Sequence, residues 1–561
     1  MAVSSVASPR KHRTFNALVS NPVIEDYALR YAPRSFRKWS EFAVASAALG
    51  GIAYLADFAI GGSITLSYGF ANALWGILVT ALIIFLTGIP IAYYAAKYNI
   101  DMDLLTRGAG FGYYGSTLTS LIYASFTFIY FSLEGSVMGQ AFNLAFGWPL
   151  WLAYLIAALL IIPLVIYGMT FLAKLQVWTQ PLWLALLVLP LLVILLKDPQ
   201  AFLVWTHFAG SSKSGPGFDP LLFGSAAGVT LSLIAQIGEQ VDYLRFMPDL
   251  TAQNRGRWWW AVMLAGPGWV ILGAAKQLGG SMLASFIAPV VGMAKADQPI
   301  QMYIHSLSIW IPDASMVLVV GTVFVVLSQI KINVTNAYSG SLSWSNFFSR
   351  IFHAHPGRVV WLLFNVGIAL TLMELNVFGF LNAVLGFYSN VAVAWIGAVV
   401  ADLVLIKPIL KIGPSYIEFK RGHLYNFNPV GFGSMVIASA LSIAAFFGVF
   451  GPLWQAFSPF VSLGVAFVLA PIIAWVTQGR YYLAREPETG VATVAGADLN
   501  REEISCVSCS YDYEALDMLH CPHHEGALCS LCCSLNDECH DVCKRGDALT
   551  AIAIHSSPTR S

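Results

Sequence analysis

Eight cysteines lie between Cys506 and Cys543, and the 505 residues before them contain none. Seven of them, with one histidine, fall into four pairs at short spacings: Cys506-x2-Cys509, Cys521-x-His523, Cys529-x2-Cys532 and Cys539-x3-Cys543. A two-residue spacer lets a tight turn aim two thiolates at one ion, and zinc takes four sulfur or nitrogen ligands in a tetrahedron. Four pairs predict two zinc ions, bound by pairs one and three and by pairs two and four if the pairs interleave. His520, His524, Cys533 and His540 compete for the same roles, and a single zinc with spare thiols or an iron–sulfur cluster remains open. A segment of about 45 residues builds little core and needs such a staple. The thiols are too many and too regularly spaced for nucleophiles, so no enzyme is expected.

A second set of chemically capable residues sits inside apolar stretches: Asp57, Glu134, Glu239, Lys276, Lys331, Glu374 and Asp402. An ionisable group in a membrane span is costly and faces a cavity or a partner. Lys276, Glu239 and Asp402 lie near span ends, from which long side chains reach the interface. Glu134 stands mid-span, four residues after Tyr130, so a carboxylate and an aromatic share one helical face. Stacking on a ring and hydrogen bonding at its edge is what a flat polar heterocycle needs. "VLSQIKINVTNAYSG" puts Ser328, Gln329, Lys331, Asn333, Thr335, Asn336 and Ser339 close together in another span. Asn333 and Asn336, three apart, can offer amide groups to one ligand or bond between helices. Glu134 and Lys331 can equally pair with each other as a buried structural salt bridge. Gln236 and Gln240 complete the candidate binding residues, and Asp57 and Ser328 join Lys331 as candidates for coupling.

These residues need a membrane scaffold. With 57% apolar and 11% charged residues over 561 positions, most of the chain belongs in lipid, and a net charge of zero with no basic face argues against nucleic acid. Stretches of about 20 apolar residues fall at 41–66, 68–95, 117–145, 149–168, 176–196, 221–242, 257–286, 315–342, 359–380, 382–406, 431–450 and 457–478, predicting an all-α protein of twelve spans. Basic residues concentrate on one side (Lys97, Arg107, Lys174, Arg245, Arg255, Arg257, Arg350, Arg358, Lys407, Lys411, Lys420, Arg421), against Lys197, Lys213 and Lys295 on the other. That asymmetry predicts cytoplasmic termini. The first 40 residues are polar, carry Arg10, Lys11 and Arg13 and lack an early apolar core, so no cleavable signal is expected. The expected parts are a cytoplasmic segment 1–40, a transporter domain 41–480, a linker 481–504, the cysteine module 505–545 and a tail 546–561. Gly50, Gly51, Gly61 and Gly62 in the first span and Gly224 and Gly228 in the sixth mark either broken helices around a binding site or close helix packing.

Several segments resemble the nucleobase–cation symporter family, in its purine and cytosine permease branch: "GEQVDYLRFMPD" (238–249), "NVTNAYSGSL" (333–342), "AWIGAVVADLVL" (394–405) and "AKYNIDMDLLTRGAGFGYYG" (96–115). The resemblance covers roughly residues 20–480. It implies a LeuT-type fold, two inverted five-helix repeats plus two helices, with substrate between spans one, three, six and eight. Tyr130 then matches a base-stacking aromatic, Glu134 a position where glutamine commonly binds the base edge, and Asn333 and Asn336 the eighth-span asparagines. Lys331 departs from the family near hydroxyl residues that help to bind sodium, which implies no sodium and coupling to protons. The cysteine connectivity resembles RING and related treble-clef modules.

Two functions follow as expectations. One is a permease for a nucleobase or related heterocycle in the cell inner membrane. The other is a sensor whose transporter-like head passes ligand occupancy through the zinc module to a cytoplasmic signalling partner.

Overall fold

The computed structural model of the chain describes residues 26, 28–212, 215–486 and 503–544. Arg10, Lys11, Arg13, Lys213, most of the expected linker and the tail 546–561 lie outside them.

Apolar composition makes helices here because the backbone's polar groups must be satisfied within each segment when no water is present. Sixteen of the helices matter to the argument. α1 (Glu41–Gly51) starts at Ser40, whose hydroxyl accepts from Ala43 N, and it stops at Gly51. After the open residues 52–55 the chain resumes as α2 (Ala56–Tyr68), bent by 45° from α1. α3 (Phe70–Tyr98), α4 (Gly115–Phe146), α5 (Leu150–Ile166) and α6 (Gly168–Lys197) follow. α7 (Pro220–Thr230), capped by the Asp219 carboxylate, tightens into a 3₁₀ segment, Leu231–Gln236, before α8 (Ile237–Leu244). Then come α9 (Arg255–Ala265), α10 (Trp269–Val291), α11 (Pro299–Ser308), the 39-residue α12 (Ala314–Phe352), α13 (Arg358–Glu374), α14 (Leu381–Ala401), α15 (Ser434–Phe446) and α16 (Ser458–Thr477).

Among the described residues, nine helical stretches are long and apolar enough to cross a membrane, and ten when bent α1–α2 is one span. Helices stand at the two other expected positions, but α5 and α13 have only 17 residues each. α6 exposes Trp178, Leu182, Leu192 and Leu196, and α16 exposes Val468, Ile472, Trp475 and Val476. Such outward apolar faces belong in lipid, and the chain is a multi-pass membrane protein.

Gly51 closes α1 at the break, while the other glycines serve close packing. A Cβ on Gly61 would stand 1.9 Å from Gln277 O, and one on Gly280 2.2 Å from Phe58 O, so α2 and α10 lie backbone to backbone. Gly224 and Gly228 face Ala456 and Pro459, so they serve packing. The irregular part of this segment is Leu231–Gln236, which contains no glycine.

The cysteine segment folds as two hairpins and a helix. β1 (Glu503–Ser505) pairs antiparallel with β2 (Asp512–Glu514), and β3 (Met518–Cys521) with β4 (Gly526–Cys529), which leads into α17 (Ser530–Leu535). Met518, Leu519 and Leu528 form a small core with the cysteines.

Candidate functional site

The break between α1 and α2 is held by charge. Glu134, on α4, accepts from Ala56 N (3.1 Å to Oε1, 3.2 Å to Oε2) and from Leu55 N (3.3 Å). These N–H groups open α2 and have no helical partner, so a carboxylate there satisfies them and meets the positive end of the helix dipole. On the other side, Lys276 of α10 donates to Ile52 O (2.7 Å) and Tyr54 O (2.9 Å) and stands 3.0 Å from Asp57 Oδ2. Gln277 Nε2 donates to Asp57 Oδ1 (2.7 Å). Lys276, Glu239 and Asp402 do not reach an interface: Lys276 is 3% exposed and the two acids 0%. Lys276 is the functional candidate that spacing alone passed over. Its signal was the run "GAAKQLGGS", a charge among small residues that admit another backbone.

Tyr130 is buried and donates to or accepts from Ser232 Oγ (2.8 Å), in the 3₁₀ segment between α7 and α8. Tyr54, Asp57, Tyr130, Glu134 and Glu239 are close enough to act on one another electrostatically. Asn333 Nδ2 donates weakly to Phe131 O (3.4 Å), and Asn336 Nδ2 to Asn333 Oδ1 (3.1 Å), which links α12 to α4. Gln236 donates to Glu239 Oε2 (2.6 Å), while neither end of the Gln240 amide, nor Asn336 Oδ1, has a hydrogen-bond partner among the described residues. A buried polar atom without a partner costs about 1–3 kcal/mol, so these atoms suit a polar ligand or water.

Glu134 and Lys331 do not pair. Lys331 Nζ donates to Gln176 O (2.9 Å) and Thr179 Oγ1 (2.8 Å), and Gln176 Nε2 returns a bond to Lys331 O (2.6 Å), clasping α12 to α6. Ser328 Oγ accepts from Trp183 Nε1 (3.0 Å). At the end of the bundle away from the cysteine module, Ser63, Gln140, Asn143, Tyr154, Lys295 and Asp297 line an open vestibule of about 870 Å³. The residues around the break are sealed from it, with Glu134, Gln240, Asn333 and Asn336 all 0% exposed.

In the module, the thiols of Cys506, Cys509, Cys529 and Cys532 all lie within 4.8 Å of one another. Zinc–sulfur bonds of about 2.3 Å in a tetrahedron put the sulfurs about 3.8 Å apart, so the four fit one ion. Cys529 N and Cys532 N each donate at 3.3 Å, to Cys506 Sγ and Cys529 Sγ. The same cluster lowers the Cys506 thiol through its neighbours' hydrogen bonds and raises that of Cys529 through burial. This is the interleaved pairing of the first and third pairs. The second set, Cys521, His523, Cys539 and Cys543, forms no comparable group among the described residues. Cys521 Sγ instead meets His524 Nδ1 at 3.2 Å, because Cys521 closes β3 and the following turn brings His524 back toward it.

No family model and no curated protein matches this sequence. Solved structures match its fold. Mhp1, a nucleobase-cation-symport-1 family transporter, in a closed conformation with bromovinylhydantoin bound, is 16% identical with a TM-score of 0.56, covering 82% of this chain and 99% of that one. The inward-facing conformation of Mhp1 is 19% identical, with a TM-score of 0.52 over 82% and 94%. The substrate-bound, outward-open state of a Na⁺-coupled sialic acid symporter is 13% identical, with a TM-score of 0.51 over 82% and 96%. The chain therefore has the LeuT-type fold, extended by a C-terminal cysteine module.

Proposed function

We propose that the chain is a secondary transporter for a flat, polar heterocycle of the nucleobase or hydantoin type, working by alternating access and coupled to protons. One observation carries this reading: the broken first helix, with Glu134 on its exposed N–H groups, stands beside Tyr130 and unpartnered amides in a sealed polar centre. The bound bromovinylhydantoin of Mhp1 supports the ligand class. Tyr130 supplies a stacking face, and Asn333, Asn336, Gln236 and Gln240 supply edge donors and acceptors. Asp57, Ser328 and Lys331 are the coupling candidates. The test is uptake of radiolabelled nucleobases and hydantoins by cells expressing the chain, with and without a protonophore. No accumulation of any compound despite good membrane expression sinks the reading.

A sensor is the second reading, favoured by how the module is docked. Arg421 donates to Cys533 O (3.2 Å) and pairs with Asp541 (3.0 Å), Lys420 donates to Leu516 O (3.3 Å), and Arg485 to His520 O (3.0 Å). A Cβ on Gly422 would meet Leu519 at 2.6 Å. The module thus grips the loop between α14 and α15 and can register its movement, with a cytoplasmic partner reading the result. In this reading one zinc ion on Cys506, Cys509, Cys529 and Cys532 keeps the module folded. A chain cut after residue 486 that keeps full uptake and leaves every downstream response unchanged removes the reading's support.

A further inference from the structure

A break inside a membrane helix frees carbonyl oxygens that a continuous helix would bond internally. Free carbonyls together with a carboxylate make an all-oxygen seat for a hard cation, and unwound segments of transporters serve in this way. Residues 52–55 form such a seat. Ile52 O and Tyr54 O lie outside both half-helices, and Asp57 stands in the first turn of α2.

The seat is occupied by a side chain. Lys276 Nζ donates to Ile52 O at 2.7 Å and Tyr54 O at 2.9 Å, lies 3.0 Å from Asp57 Oδ2, and sits 3.6 Å from the centroid of the Tyr54 ring. Two carbonyls accept from the ammonium, the Asp57 carboxylate pairs with it, and the ring face adds a cation–π contact. The backbone is arranged to permit this. Gly61 and Gly280 let α2 and α10 touch, and a Cβ on Gly273, one turn before Lys276, would stand 3.3 Å from Asp57 Oδ2. Of the other carboxylates nearby, Glu134 is engaged across the break by the N–H groups of Leu55 and Ala56, and Glu239 accepts from Gln236. Asp57, the carboxylate at the seat itself, already has a cation beside it.

We propose that Lys276 is a tethered substitute for a metal cation: its ammonium fills the seat that a monovalent ion such as sodium would take, joining the halves of the first crossing helix without one. The proposal deepens the transport reading, because it assigns the cation requirement of the same site. Lys331, which sits between α12 and α6, does not reach this seat.

The test needs no substrate. Thermal unfolding of the purified full-length chain is followed in sodium chloride and in N-methylglucamine chloride at equal ionic strength. The wild type melts at the same temperature in both. Lys276→Ala empties the seat and gains a saturable, sodium-specific rise of about 2–4 °C, and adding Asp57→Asn abolishes that gain. Recovery of Lys276→Ala only when sodium is present throughout purification is the same gain in a stronger form. A sodium-specific rise in the wild type overturns the proposal, as does a Lys276→Ala protein that responds alike to both salts. Where Lys276→Ala is recovered in neither salt, the wild-type comparison decides alone. Absence of heterocycle uptake removes the transport reading and leaves these melting temperatures unaffected.

Discussion

Arg30 Nε stands 3.0 Å from Asp517 Oδ2, tying the segment that leads into α1 to the cysteine module 487 residues later. Asp517 is fully buried, also accepts from Ser530 Oγ, and has Arg30 stretched over the Tyr513 ring at 4.0 Å. The next residues extend the contact, since Tyr31 OH and Arg34 N both bond the Glu514 carboxylate. The module is therefore docked on the chain that enters the broken helix. Removing one partner of a buried ion pair strands the other, at about 3–5 kcal/mol. Asp517→Ala is expected to loosen the module, read as faster hydrogen exchange over 503–535 with α4 and α12 unchanged. Unaltered exchange there would mean that the pair does not hold the dock.

Zinc content separates the two cysteine sets. The purified chain is expected to carry one zinc ion through its first and third pairs, lost in Cys506→Ser and in Cys529→Ser and retained in Cys521→Ser, by elemental analysis. A small domain stapled by metal unfolds without it, so chelation should raise exchange over 503–535 as well. Loss of the metal in Cys521→Ser would bring the second set back as the ligand group.

Glu418, in the loop between α14 and α15, predicts an acid-sensitive contact. Burial acts to raise its carboxyl, but Lys420, His423 (2.7 Å) and backbone N–H groups hold it at about 2, below the ordinary 4.5. A depressed carboxyl stabilises the fold above its unfolded value and loses that contribution as pH falls toward its folded one, an effect of about 3 kcal/mol. Melting temperature should therefore drop between pH 4.5 and 2, and Glu418→Gln should flatten part of that drop. Asp26, held at about 2 against burial by His355 and Arg358, contributes to the remainder. Identical pH profiles for wild type and variant would refute the assignment.

The Lys331–Gln176 clasp predicts a structural effect that ignores salt identity. Lys331→Met leaves Gln176 O and Thr179 without their donor and should cost about 1–3 kcal/mol, seen as the same fall in melting temperature in sodium and in N-methylglucamine. A sodium-specific rescue of Lys331→Met would give the cation role to this residue instead of Lys276.

Close packing at Gly280 sets a steric limit. Gly280→Ala puts a methyl group against Phe58 O, where the two backbones have no room to part cheaply. Overpacking of this kind costs about 1–3 kcal/mol, and uptake of any heterocycle that the wild type accumulates should fall with it. Full uptake by Gly280→Ala would show that α2 can move off α10.

Much of this architecture is determined by sequence, because apolar run length and thiol spacing are local properties. Apolar runs mark where helices form, and two-residue spacers mark which cysteines pair. Ordered segments such as "GEQVDYLRFMPD" and "NVTNAYSGSL" carry the resemblance that leads to the LeuT-type fold. Partners across the bundle are another matter. Glu134 meets Leu55 and Ala56 from 78 or more positions away, and Lys276 meets Ile52 from 224. Nothing in helical periodicity separates Lys331, which clasps two helices, from Lys276, which fills a helix break, since both are single charges in apolar spans. Tertiary structure decides between them, because the carbonyls that Lys276 satisfies exist only where α1 and α2 part, and only the glycine contact of α2 with α10 brings the ammonium there.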